Sequence, residues 1–217
     1  MNIEQARFNM VEQQIRPWNV LDAAILDSLS VVKREDFVPA AYKNLAFADI
    51  EVPLGQGQCM LFPRLEARMV QDLAVQAHET VLEIGSGSGY MAALLAHRAK
   101  RVVSLEINAE LANLARTNLR NAGVQNAEVR HADGSVATPA EGNFDAILMS
   151  GSVAAIPQSL LNLLSVGGRL IAIVGDEPIM CATIVTRTSA TEFRTVKPWD
   201  CEAPRLQKFT ENSQFAF

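Results

Sequence analysis

Apolar residues change their spacing near residue 80, and the change divides the chain. From residue 2 to about 35 they recur at helical intervals: Ile3, Phe8, Met10, Val11 and Ile15, then VLDAAILDSLSVV after an interruption at Pro17. Residues 36 to 53 carry Pro39 and Pro53 and read as extended or looped. GQGQCMLFP reads as a loop and RLEARMVQDLAVQ as a helix. Beyond residue 80, short apolar runs alternate with helical segments. TVLEIG, RVVSLEI, AEVRHADG, FDAILMSG and RLIAIVGD predict strands. GYMAALLAHRA, AELANLARTNLRNAG and PQSLLNLLSVGG predict the helices between them, the last closed by its glycine pair. IMCATIVTRT and EFRTVKPW, joined by a polar turn, predict an antiparallel hairpin. The pattern is that of an α/β protein, with a Rossmann-like sheet that is mostly parallel and has an antiparallel edge. The expected division is a helical N-terminal cap with a substrate-side segment (1–59), a core (60–200) and a tail (201–217).

Composition narrows the class. Hydrophobic residues make up 49% and charged residues 20%, as in ordinary globular domains. No apolar run approaches the roughly 18 residues of a membrane helix. MNIEQARFNMVEQQ, with Glu4 and Glu12, is not patterned as a secretory signal, so a cytoplasmic protein is expected. Cys59, Cys181 and Cys201 form no CxxC pair, which predicts free thiols and no metal site. The net charge is −5 and no Lys/Arg block stands out, against a phosphate-tracking surface for nucleic acid.

The chemistry begins at VLEIGSGSGY. Gly85, Gly87 and Gly89 follow a strand and open a helix, where glycine lets the backbone turn sharply and approach a ligand. Glu106 ends the next strand, 21 residues after Gly85, where an acid accepts hydrogen bonds from ribose hydroxyls. A dinucleotide site would instead read GxGxxG and hold a diphosphate at the helix N-terminus. Glu83, two residues before the first glycine, would repel a diphosphate and attract a cation. S-adenosylmethionine answers to this: it has a ribose, no phosphate, an amino group and a sulfonium. Asp133 and Gly134 end the third strand, where the acid can meet the adenine amine; an Asp-Gly turn without a ligand explains that pair alone almost as well, and its register with the other two features favours the cofactor.

Most of the chain resembles the protein-L-isoaspartate O-methyltransferases, a class I S-adenosylmethionine-dependent family. KREDFVPAAYKNLAFADIEVPLGQGQ is similar to the N-terminal elements of that family, and VLEIGSGSGYMAALLA, HADG, FDAILMSG and LLSVGGRLIAIVG follow in its order. The resemblance implies methyl esterification of the free carboxylate of isoaspartyl residues in a protein or peptide, with no nucleic-acid or membrane partner. The expected cofactor set is Gln58, Cys59, Met60, Glu83, Gly85, Ser86, Gly87, Gly89, Glu106, Ile107, Asp133, Gly134 and Ser150.

The departures concern the acceptor side. Where the family reads Thr-Ile-Ser-x-Pro, this chain has Cys59, Met60, Leu61, Phe62 and Pro63, so Leu61 stands in place of the serine whose hydroxyl lies between donor and acceptor. Leu61 cannot donate a hydrogen bond. Cys59, Ser150 and Ser152 are the candidate replacement donors. A weakened enzyme, an altered acceptor and a cofactor-binding protein without catalysis all remain open. A base-methylating enzyme would need an Asn/Asp-Pro-Pro-aromatic turn after the fourth strand, which LMSGSV lacks. Arg64 is expected at a solvated helix N-terminus, Trp18 and Trp199 in core packing or a peptide groove, and Pro198–Pro204 in a tail wrapping toward the site. TENSQFAF, with Phe215 and Phe217, extends past the family's usual end.

Overall fold

The computed structural model describes residues 2–136 and 142–211; Phe215 and Phe217 lie outside them. Four segments build the helical cap: α1 (Ile3–Met10), a π turn (Val11–Ile15), a 3-10 turn (Arg16–Trp18) and α2 (Ala23–Val31). The side chains of Asn2 and Asp22 accept from the Gln5 and Ala24 amides and so start α1 and α2. The next helix, α3 (Pro63–Leu73), has proline in its first turn and ends at Ala74 in the left-handed region.

Seven strands form the main sheet: β3 (Thr80–Ile84), β4 (Arg101–Glu106), β5 (Ala127–His131), β6 (Phe144–Val153), β7 (Leu164–Asp176), β8 (Ile179–Arg187) and β9 (Phe193–Asp200). Their order is β5-β4-β3-β6-β7-β8-β9, parallel through β7 and antiparallel for the last two, as expected. Between them run α4 (Tyr90–Arg98), α5 (Ala109–Asn121) and the short α6 (Gln158–Leu161). Strand side chains alternate between two apolar clusters. Val81, Val102, Ala146 and Ile171 face one that also holds Met10, Ile15 and Leu29 of the cap. Leu82, Val103, Ile147 and Leu170 face the other, which the tail residue Phe209 helps to close.

Two expectations are corrected. The segment read as a loop at residues 55–63 starts with a hairpin, β1 (Val52–Gly55) and β2 (Gln58–Met60). Its two turn residues, Gln56 (φ 55°) and Gly57 (φ 70°), are both left-handed, as a tight hairpin turn requires. The expected division at 59/60 thus falls inside β2. The glycine pair of LLSVGG does not cap a helix: α6 ends at Leu161, and Leu164–Val166 already belong to β7. Gly167 (φ 87°) and Gly168 form a bulge where the pairing with β6 changes from Phe144↔Leu164 to Ala146↔Arg169. A Cβ on Gly168 would lie 2.9 Å from the Ser165 carbonyl oxygen, so the bulge excludes larger residues.

Arg34, fully buried, ties the cap to the core. It pairs with Glu66 of α3, and its Nη2 donates to the Leu61 carbonyl at 2.8 Å. The β2–α3 connection is thereby fixed beside the ends of the central strands.

Candidate active site

The site lies outside the carboxyl ends of β3, β4 and β6, where parallel α/β sheets take their ligands. As the chain leaves β3, the Gly85 amide donates to the Leu105 carbonyl at 2.8 Å, and Gly85 (φ 93°) and Gly87 (φ 51°) bend it back toward β4. The Glu106 carboxylate meets that bend. Its Oε2 accepts from the Gly87 amide at 2.8 Å and its Oε1 from the Asn108 amide at 3.0 Å. Each carboxylate oxygen keeps a second acceptor position, and Glu106 lines the cavity beside Ile107 and Gly134.

Beneath the loop lies a buried polar chain. Ser86 and Ser104 hydroxyls are 2.5 Å apart, Ser104 Oγ donates to Glu83 Oε2 at 2.5 Å, and Ser150 Oγ donates to Glu83 Oε1 at 2.9 Å. Burial pushes the Glu83 carboxyl up to about 7, against the pull of these two hydroxyls and with help from Glu106 and Glu66. Glu83 therefore does not line the cavity, as a direct ligand would; it sits fully buried behind Ser150, which does.

Not every expected cofactor residue reaches the cavity. Gln58, Cys59, Gly85, Gly87, Glu106, Ile107, Gly134 and Ser150 line it. Met60 and Ser86 are buried away from it. Gly89 starts α4 instead, and a Cβ there would lie 3.2 Å from Ala115. Asp133 spends Oδ1 on the Ser135 amide (2.9 Å) and hydroxyl (2.6 Å), the Asp-Gly turn weighed against an adenine contact. Those bonds hold its carboxyl below the usual range.

Among the candidate donors, Ser152 is fully buried and its hydroxyl donates to the Ala203 carbonyl at 2.7 Å, so it anchors the tail and faces no acceptor. Burial and then Glu51 push the Cys59 thiol up to about 12, which keeps it protonated as a weak donor. Leu61 is 4% exposed and packs in the core, outside the cavity.

The wrapping tail expected at Pro198–Pro204 lies further along the chain. Pro198–Asp200 end β9, and the crossing segment runs from Ala203 to Phe209. It is zipped to β6: the Ser152 amide donates to Pro204 (2.7 Å) and the Leu206 amide to Ser152 (2.9 Å). Leu206 then points at the glycine loop, 2.9 Å from where a Gly85 Cβ would stand. With Leu206 so placed the cavity holds about 60 Å³, far below the hundreds of Å³ that a nucleoside-sized ligand fills. The residues fit S-adenosylmethionine in charge and hydrogen bonding, with Leu206, Gln207 and Phe209 of this strap closing the cavity over them. Arg64 is not solvated as expected: it pairs with Asp49 and lies over the Trp18 ring at 4.3 Å. Trp199 Nε1 donates to Asp72 at 2.6 Å.

The family model for Protein-L-isoaspartate(D-aspartate) O-methyltransferase matches residues 5–198. The protein-L-isoaspartate O-methyltransferase 1 of Syntrophobacter fumaroxidans is 44% identical over 176 residues, spanning 81% of this chain and 82% of its own. The chain belongs to that family. The isoaspartate O-methyltransferase of Methanoculleus marisnigri is 42% identical over 82% of this chain and 80% of its own. The fold agrees with the crystal structure of a putative isoaspartate methyltransferase from Plasmodium falciparum in complex with S-adenosyl-L-homocysteine. That likeness has a TM-score of 0.81 at 19% identity, over 96% of this chain and 99% of the other. The hairpin residues Gln58 and Cys59, the glycine loop and Glu106 line one cavity, and Leu61 packs outside it.

Proposed function

We propose that this chain transfers a methyl group from S-adenosylmethionine to the free carboxylate of isoaspartyl residues in proteins or peptides. The observation that carries the reading is the Glu106 carboxylate, fixed by two backbone amides with its outer acceptor positions on the cavity. Glu106 would accept from the ribose hydroxyls, the Gly85–Gly87 backbone would lie against the ligand, and Ser150, backed by Glu83, would present negative potential to its cationic end. Bound there, the cofactor supplies an electrophilic methyl group on a sulfonium.

The acceptor carboxylate is ionised at pH 7, with a pKa of about 3.5–4, so the chain need supply no general base. Its task is to hold the acceptor in line and exclude water. Loss of one positioning hydrogen bond to a charged acceptor costs about 1.5–3 kcal/mol, roughly ten- to a hundredfold in rate. Leu61 is thus compatible with a slower enzyme; the Cys59 thiol and the Ser150 hydroxyl line the cavity, and each would have to release its hydrogen bond, to Glu51 and Glu83, before donating to an acceptor. The net charge of −5 favours a peptide over a nucleic-acid acceptor.

The test is labelled-methyl transfer to paired isoaspartyl and aspartyl peptides, beside calorimetric titration of S-adenosylhomocysteine. Transfer to the isoaspartyl peptide alone supports the assignment. Tight product binding without transfer to either peptide removes the acceptor from it.

A further inference from the structure

A second cavity, of about 490 Å³, is lined in part by the continuation of two segments that also line the first. Cys59 lines the first cavity and Phe62 the second; Leu206 lines the first and Glu202 the second. Three residues of chain span at most about 10 Å. With three residues from Cys59 to Phe62 and four from Glu202 to Leu206, the two linings are separated by a span of the order of a few peptide residues.

The lining of this groove is divided by polarity. Leu65 and Met180 form a buried apolar floor, extended by Ile179, which is 81% exposed. One wall is a stack in which the Arg64 guanidinium lies 4.3 Å from the Trp18 ring centroid and 4.9 Å from that of Phe62. Asp49 pairs with Arg64 and neutralises it. The rim carries Asp200 and Glu202, both exposed, and neither makes an ion pair among the described residues. Their charge is felt inside the groove: the Cys201 thiol is pushed up to about 12, first by burial, then by Cys181, with Asp200 and Glu202 adding to it.

An apolar floor under an uncompensated acidic rim matches a side chain with an aliphatic stem and a cationic head. We propose that the groove is a specificity subsite for a lysine or arginine of the peptide substrate, two or three residues from the methyl-accepting isoaspartyl. This rests on the methyltransferase reading of the first cavity. An acidic side chain would meet Asp200 and Glu202 and be repelled, and a purely apolar one would leave both unpaired. Rim charges are partly screened, so the preference is modest, roughly three- to tenfold.

The experiment uses isoaspartyl peptides that differ only in carrying Lys, Leu or Glu two or three positions from the acceptor, on either side. KM and kcat come from labelled-methyl transfer, and Kd from calorimetry with S-adenosylhomocysteine present. The expected result is KM and Kd rising from Lys to Leu to Glu at one of these positions. In the D200N/E202Q variant, whose folding is checked by thermal melting, the spread collapses. Equal values for all peptides, a preference for Leu, or a spread that survives in the variant would overturn the subsite. If no peptide is methylated but Lys peptides still bind more tightly, the transfer reading fails and the groove stands.

Discussion

Glu83 offers the sharpest test of the electrostatics beneath the glycine loop. It is fully buried, bonded to Ser104 and Ser150, and its carboxyl is pushed up to about 7 from an ordinary 4.5, chiefly by burial. The folded state thus favours the protonated form. Its contribution to stability is complete below pH 4.5 and is lost as pH rises through 7. A gap of about 2.5 pH units at 1.36 kcal/mol each amounts to about 3 kcal/mol. Glu83→Gln keeps the size and neutrality of the protonated acid and cannot ionise. The difference in unfolding free energy between variant and wild type should therefore be small near pH 4 and grow, in favour of the variant, to about 3 kcal/mol by pH 8.5. Urea unfolding followed by circular dichroism at half-unit pH steps measures it, and taking the difference cancels the other titrating groups. A difference that stays flat with pH, or turns against the variant at high pH, refutes the reasoning. Above pH 7, where Glu83 is ionised, the same substitution removes negative charge behind Ser150, so there S-adenosylmethionine, with its sulfonium, should lose more affinity than the neutral-sulfur product.

Three further outcomes are expected. Glu106→Gln places an amide NH2 against the Gly87 or Asn108 amide and should weaken S-adenosylhomocysteine binding about ten- to a hundredfold; an unchanged calorimetric Kd would remove Glu106 from the site. Leu61→Ser exchanges a side chain that is 4% exposed for a small polar one, so urea unfolding should show a loss of about 2–5 kcal/mol with no tenfold gain in methyl transfer. A large gain in transfer without a stability loss would show that the position faces the acceptor after all. Leu206→Ala opens the space over Gly85 and Gly151 and should speed cofactor association in stopped-flow fluorescence; an unchanged rate would mean that Leu206 does not obstruct entry.

What the sequence made legible was local. The central strands read clearly because both faces of the sheet are covered, so Leu82, Val103 and Ile147 sit in unbroken apolar runs with Val81, Val102 and Ala146. The hairpin at 52–60 was hidden because its turn is Gln-Gly, without the Asn or Asp that usually announces two left-handed residues. The Gly167–Gly168 pair was ambiguous in principle, since a helix end and a β-bulge both use left-handed glycine. Only the pairing of Leu164 with Phe144 decides between them. Contacts between distant segments had no local signature at all. Glu83 stands opposite Ser104 across β3 and β4, which turns a charge that reads as a ligand contact into a buried hydrogen-bonded acid. Leu206 reaches Gly85 only because Ser152 holds the strap, a contact no spacing rule supplies. Leu61 joins the two levels. The link that fixes its segment runs from Arg34 to the Leu61 carbonyl, which every residue type possesses. A leucine in place of the serine therefore keeps that link while it exchanges a hydroxyl for an apolar side chain packed in the core, and the polar side chains that reach the cavity are those of Gln58, Cys59, Glu106, Ser150 and Gln207.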